Sequence, residues 1–150
     1  MNKQIDLAWL AGFFDGEGCI TLTRHVEERG YPRYCGTVSL TQYNKVCIEK
    51  VLTLVEHYGL PTPSILEPRR SSKGWWLCWA GNKGSEFLLA LRPYLRHPKR
   101  VARAEIYCRF YDPAKKGRHR QTERKELFVE WLRLRIAEAE EHKALEAKWE

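Results

Sequence analysis

The sequence has no C-x-x-C pair, no internal repeat and no apolar run long enough to cross a bilayer. Its cysteines at 19, 35, 47, 78 and 108 are odd in number and scattered. That argues against a zinc ribbon or a dense disulfide framework and fits a reducing compartment. The longest apolar run near the N-terminus, residues 7–14, has Asp6 before it and Asp15 after it, too short for a span and unlike a secretory signal. The expectation is a soluble protein of the cell interior (cytoplasm, nucleoid or organelle), not secreted and without a membrane partner.

What is present describes a folded, basic chain. Hydrophobic residues make up 43% and aromatic residues 12%, too much for a disordered segment. A chain of 150 residues fits one ordinary domain. Its net charge of +7 favours a polyanionic partner. The charge is uneven: residues 92–125 hold 12 Lys/Arg against 3 Asp/Glu, a net +9, whereas 126–150 hold 4 against 7, a net −3.

Asp6 is placed to cap a helix over roughly 6–16, in which Leu7, Leu10 and Phe14 recur at helical spacing and Gly16 with Gly18 supplies the stop. Another face of that helix carries Ala8, Ala11, Gly12 and then Asp15 or Gly16, a stripe of small side chains that lets two helix axes approach closely. Past Gly18 the period becomes alternating. Ile20 and Leu22 alternate with Thr21, Thr23 and His25; after a turn at 29–32, Val38 and Leu40 alternate with Arg33, Cys35, Thr37 and Ser39. The two runs form a long hairpin.

Asn44 caps a second helix ending near His57, with Val46, Ile48 or Val51, Leu52 and Val55 inward and Gly59 as terminator. A shorter hairpin joins 64–67 to 75–79 through a turn holding Arg69, Arg70 and Lys73, and its tryptophans are assigned to the core. Helical patterns over 86–95 and 98–111 follow, bounded by Pro93 and Pro98. The class is α+β, with an αββαββα core over 1–110. Residues 111–150 add a basic linker and a C-terminal helix packed on the same domain, anchored by Leu127, Trp131 and Leu134.

Residues 10–18 read LAGFFDGEG. Leu10, Ala11, Gly12, Asp15 and Gly18 match, letter for letter, the signature of the LAGLIDADG homing endonucleases, and Glu17 stands where the second acid belongs. The chain therefore resembles that family, and the αββαββα order over 6–110 resembles its core. One motif per chain implies the homodimeric class, with helix one of each copy, through Ala8, Ala11, Gly12 and Asp15, packed on the twofold axis. The resemblance implies a concave antiparallel sheet on double-stranded DNA and hydrolysis of both strands of a long, pseudo-palindromic site.

It also implies that both copies of Glu17, with the Gly16 carbonyl, bind divalent cations. Mg²⁺ suits hard oxygen ligands, is typically held by one or two carboxylates plus phosphate, and Mn²⁺ or Ca²⁺ can take its place. Gln42 corresponds to a solvent-organising residue. Lys99 is the candidate for the basic residue after the P-Y-L stretch, although Pro98 lengthens the spacing by one and Arg100 or Arg96 is an alternative. Outward positions Thr21, Thr23, His25, Arg33, Thr37 and Ser39 present the alternate donors and acceptors that a β-ribbon needs in the major groove. Arg69, Arg70 and Lys73 in the second turn, and Arg118 and Arg120 in the linker, are expected on phosphate or guanine. Two other functions fit the same fold: an intron-encoded maturase that binds intron RNA, and a DNA-binding regulator that does not cleave.

Overall fold

The first helix, α1 (Lys3–Glu17), starts before Asp6. Asn2 is its cap: the side-chain oxygen accepts from the backbone N–H groups of Gln4 and Ile5 at 3.1 and 3.4 Å. Asn and Asp cap equally well, and with that role filled Asp6 accepts a 2.5 Å hydrogen bond from the Tyr58 hydroxyl instead. Gly16 does not end the helix, which runs on through Glu17 and passes straight into a strand at Gly18. A Cβ on Gly18 would overlap the Phe14 ring, so only glycine lets helix and strand meet this closely.

The computed structural model describes residues 2–28, 30–68, 74–114 and 119–146, with side chains from Gln121 onward in the last stretch. Strands β1 (Gly18–Val26) and β2 (Pro32–Gln42) form the long hairpin, with Gly18 opposite Leu40 and His25 opposite Arg33. The edge strand β3 (Ser64–Leu66) and then β4 (Trp75–Ala80) complete an antiparallel sheet in the order β1-β2-β4-β3. Alternation sorts its two faces. Ile20, Leu22, Val38, Leu40, Leu77 and Trp79 are buried on the helix side.

Four helices cover that side: α1, α2 (Lys45–His57), α3 (Asn82–Leu91) and α4 (Pro98–Phe110). Leu10 and Phe14, Ile48 and Val51, Phe87 and Leu88, and Tyr107 and Phe110 join the core, each stabilising the fold by about 1.5–3 kcal/mol relative to exposure. Trp79 stacks on Phe87 at 4.0 Å, and its indole N–H donates to the Pro61 carbonyl at 2.6 Å. Gly36 lies beneath Tyr107 and Tyr111, and its N–H donates to the Tyr111 hydroxyl at 2.6 Å.

Three local expectations change. Val46 is 71% exposed, because two residues along a helix is about 200° of rotation and Ile48 holds the buried side. Helix α3 starts at Asn82, since Gly81 at φ +60° turns β4 directly into it. Gly84, a weak helix former, conceals that start in the sequence; it is there because Trp79, Val38 and Tyr107 leave no room for a Cβ. The third change is at Trp76, which lies on the outward face of β4 and is half-exposed.

The last helix, α5 (His119–Glu146), runs antiparallel to α4. Arg109 pairs with Glu130, Arg103 with Glu138 and Lys99 with Glu141, so the net-negative segment packs on the net-positive one. Leu127 and Trp131 enter the core, Leu134 packs against it, and Phe128 meets Tyr34 of β2 at 5.3 Å. No described helix is long and apolar enough to cross a membrane.

Candidate functional site

The junction of α1 and β1 separates the two acids of the motif. Asp15 is half-buried; its Oδ2 accepts from the N–H groups of Arg96 at 2.8 Å and His97 at 3.2 Å, tying the end of α1 to the loop before α4. Its Oδ1 is buried with no partner among the described residues. Glu17 is exposed, and its carboxylate has no hydrogen bond or ion pair among the described residues. Gly16, also exposed, belongs to the last helical turn, whose carbonyls lack intrahelical partners. Two oxygen donors thus project from one helix end.

Gln42 ends β2 beside this junction. Its Oε1 accepts from the N–H groups of Tyr43 at 2.7 Å and Asn44 at 3.2 Å, so the side-chain carbonyl closes the turn into α2 and only the NH₂ group is left over. Lys99 does not point toward the acids: its Nζ sits 2.9 Å from Glu141 of α5. Pro98 opens α4, which puts Lys99 and Arg103, four residues apart, on the same α5-facing side. Arg100 is turned about 100° from Lys99. Desolvation lowers its pKa, and Cys19, Asp15 and Glu138 oppose that while Arg103 reinforces it. Cys19 and Asp15 of the α1–β1 junction lie within electrostatic range of Arg100, as do Arg103 and Glu138, and α4 packs on β1. Arg100 remains a cation at any physiological pH.

The outward face of the sheet carries Thr21, Thr23 and His25 from β1 and Arg33, Thr37 and Ser39 from β2, all at least partly exposed. Thr23 hydrogen-bonds His25 at 3.2 Å, and Arg33 lies 3.9 Å from Glu27. Cys19, Cys35, Thr41, Ser64, Leu66 and Trp76 share this face by register and were not singled out in the sequence. Applying the period of two to 75–80, with Trp79 fixed inward, would have found Trp76. Arg69, Arg70, Lys73, Arg118 and the side chain of Arg120 lie outside the described residues.

The small-residue stripe is only partly a surface. Ala11 is fully buried in the core of the chain, because it shares the inward side of α1 with Leu7, Leu10 and Phe14. Ala8 and Gly12 are exposed, and a Cβ on Gly12 would meet nothing within 4 Å. Around them α1 shows Ile5, 66% exposed, and a stacked Trp9–Phe13 pair at 5.2 Å, with Lys50 over the Trp9 ring at 3.9 Å. All five cysteines are free. Among the described residues no group of three or more His, Cys, Asp or Glu side chains is arranged to hold a metal ion.

This architecture is that of solved LAGLIDADG homing endonucleases. I-CvuI, solved in complex with the I-CreI target in the presence of 2 mM Mg with the DNA not cleaved, matches with a TM-score of 0.70 at 20% identity, over 88% of this chain and 83% of that one. The archaeal intron-encoded homing endonuclease I-Vdi141I, complexed with DNA, gives 0.65 at 16% identity over 89% and 86%. I-TnaI gives 0.61 at 17% identity over 93% and 97%. Among curated proteins none matches the chain by sequence. The LAGLIDADG-like domain model matches residues 4–149, and the chain belongs to that family.

Proposed function

We propose that two copies of the chain pair through α1 and hydrolyse both strands of a long, nearly twofold-symmetric DNA duplex with the help of a divalent cation. The observation that carries this reading is Glu17: an exposed, unpartnered carboxylate at the end of the motif helix, where the outward sheet face begins. A solvated turn residue would need no partner either, but it would not stand at the second acid of a signature whose first acid is locked into the fold.

The donor set fits a hard cation. Glu17 and the Gly16 carbonyl offer only oxygen, and a single chain offers too little of it for a closed cage. That is the situation in which Mg²⁺ is bound with phosphate and water as the remaining ligands, and in which Mn²⁺ or Ca²⁺ can replace it. Bound there, the cation would supply an activated water and stabilisation of the leaving oxygen. The chain's own residues do the rest. Asp15 fixes the helix end, so that Glu17 is presented in one orientation. Two Glu17 carboxylates brought about 4 Å apart repel by roughly 1–4 kcal/mol, which favours cation binding between them.

Arg100 takes the role first expected of Lys99: a half-buried guanidinium within electrostatic range of the α1–β1 junction, able to offset phosphate charge during the reaction. The NH₂ group of Gln42 is left to orient solvent or phosphate. Side chains on the outward sheet face read base edges in the major groove. The outward residues from Arg33 to Thr41 span about 26 Å at about 3.3 Å per residue, or about 8 base pairs per subunit. Two subunits then cover a site of roughly twice that length.

The test is a randomised duplex library incubated with and without Mg²⁺, using the wild type and Glu17→Gln. The wild type should cut a defined site only with the cation, while the variant binds that site without cutting. Equal cleavage by both proteins would remove Glu17 from the mechanism.

A further inference from the structure

The outward sheet face is polar along β1 and most of β2, but it turns apolar at the end level with Glu17. Thr41 of β2 pairs with Trp76 of β4, and Trp76 pairs with Leu66 of the edge strand β3. Trp75, Leu77 and Trp79 point to the helices, so Trp76 takes the other face; Leu66 beside it is 45% exposed. A Cβ on Gly74 would lie 3.1 Å from the Thr41 methyl and 3.6 Å from the Tyr43 ring, so the strip continues into Tyr43, 72% exposed. Solvated strand faces gain nothing from a tryptophan and a leucine side by side, because that surface stays wet. The segment joining β3 to β4 also holds Arg69, Arg70 and Lys73 in its sequence, positive charge that suits a polyanion.

Only one base offers hydrocarbon in the major groove: thymine, through its 5-methyl group. Every base edge carries donors or acceptors, thymine's O4 included, and only thymine adds a methyl group that an apolar strip can cover. Position follows from register. Gly18 sits opposite Leu40, so the Thr41–Trp76–Leu66 row lies one step further, beside the end of α1, whereas His25 and Arg33 lie at the far end of the hairpin.

We infer that Thr41, Trp76 and Leu66 select thymine at the innermost positions of each half-site, next to the cut, by packing against its methyl group. This rests on the proposed function, since it needs a duplex on the outward face. It assigns the inner part of the target to apolar contact and leaves the outer part to the hydrogen-bonding side chains of the hairpin.

The experiment uses the full chain and the duplexes it selects from a randomised library. Deoxyuridine, which differs from thymine only by the missing methyl, is substituted position by position, and binding is measured. The selected sites should carry thymine at inner positions, and each inner methyl removed should weaken wild-type binding about four-fold. In Trp76→Thr and Leu66→Ser that ratio should fall toward one, with outer positions unaffected. Leu66→Ser alters an exposed edge residue, so the measurement stands even if Trp76→Thr fails to fold. Equal wild-type binding of thymine and deoxyuridine at inner positions would overturn the inference and leave the nuclease reading intact, as would an unchanged ratio in the folded variants. A wild type that selects no duplex would overturn the proposed function, and this inference with it.

Discussion

Asp15 and Glu17 are two residues apart, and the helix sends them in different directions. One accepts two backbone hydrogen bonds from the loop before α4, and the other is left to solvent. The motif by itself makes Glu17 legible. Pro98 adds a residue to the expected spacing of the cation, and Lys99, the residue expected from the sequence, pairs with Glu141 of α5, which is why we propose Arg100 in its place. Arg100→Ala should therefore lower the cleavage rate by about 10²-fold, as loss of one charge-stabilising donor does. Lys99→Ala breaks only a half-exposed ion pair worth about 0–1 kcal/mol and should leave the rate nearly unchanged. Single-turnover cleavage of a selected target distinguishes the two, and the reverse ranking would restore Lys99. A second prediction concerns Tyr58. Its hydrogen bond to the Asp6 carboxylate pushes its pKa up to about 12. Because the folded value is raised, the contact is complete below the usual tyrosine value near 10 and is lost as pH climbs through about 12. Burial raises Tyr107 as well, so ultraviolet titration should show, apart from that residue, a tyrosine step near 12 in the wild type that returns toward the usual value in Asp6→Asn; identical curves would show that the contact is absent.

Among the elements, α1 has two sides with different surroundings. Its inward side, Leu7, Leu10, Ala11 and Phe14, is occupied by the subunit's own core. Its other side shows Ile5, Ala8 and Gly12 exposed, with Trp9 and Phe13 partly buried beside them, and this is the face the proposed dimer would use. Gly12→Leu separates these roles. The Cβ position is empty within the subunit, so the monomer's fold should tolerate the change, whereas close-packed helix axes should be forced apart by overpacking. Sedimentation should show a weakened dimer at unchanged thermal stability of the subunit; an unaltered dimer would move the interface elsewhere. The strands are readable because alternation persists over the whole β1–β2 hairpin. Helix starts are not, where two good caps compete, as Asn2 and Asp6 do, or where a packing glycine such as Gly84 interrupts a helical pattern. Trp76 escapes the sequence pattern because a short aromatic run has no clear phase until one of its members, here Trp79, is anchored.

For the whole molecule, the charge asymmetry of the sequence has a structural outcome. The acidic last helix pairs with Lys99, Arg103 and Arg109 of α4, and it backs the hairpin through Phe128 and Tyr34. That pairing is visible in the composition only as a difference between segments, since nothing in the sequence says which cation meets which acid. A single chain has one outward sheet face and one free motif acid, which is half of what cutting both strands at a symmetric site requires. In the proposed function the reacting centre is shared between two copies. The most direct measurement of this sharing is total strand scission, nicks included, by co-refolded mixtures of wild type and Glu17→Gln. If both copies must contribute their acid, activity follows the square of the wild-type fraction, and an equal mixture retains about one quarter of the rate. A rate of about one half, falling linearly with the wild-type fraction, would mean that each chain cuts on its own and would contradict the account.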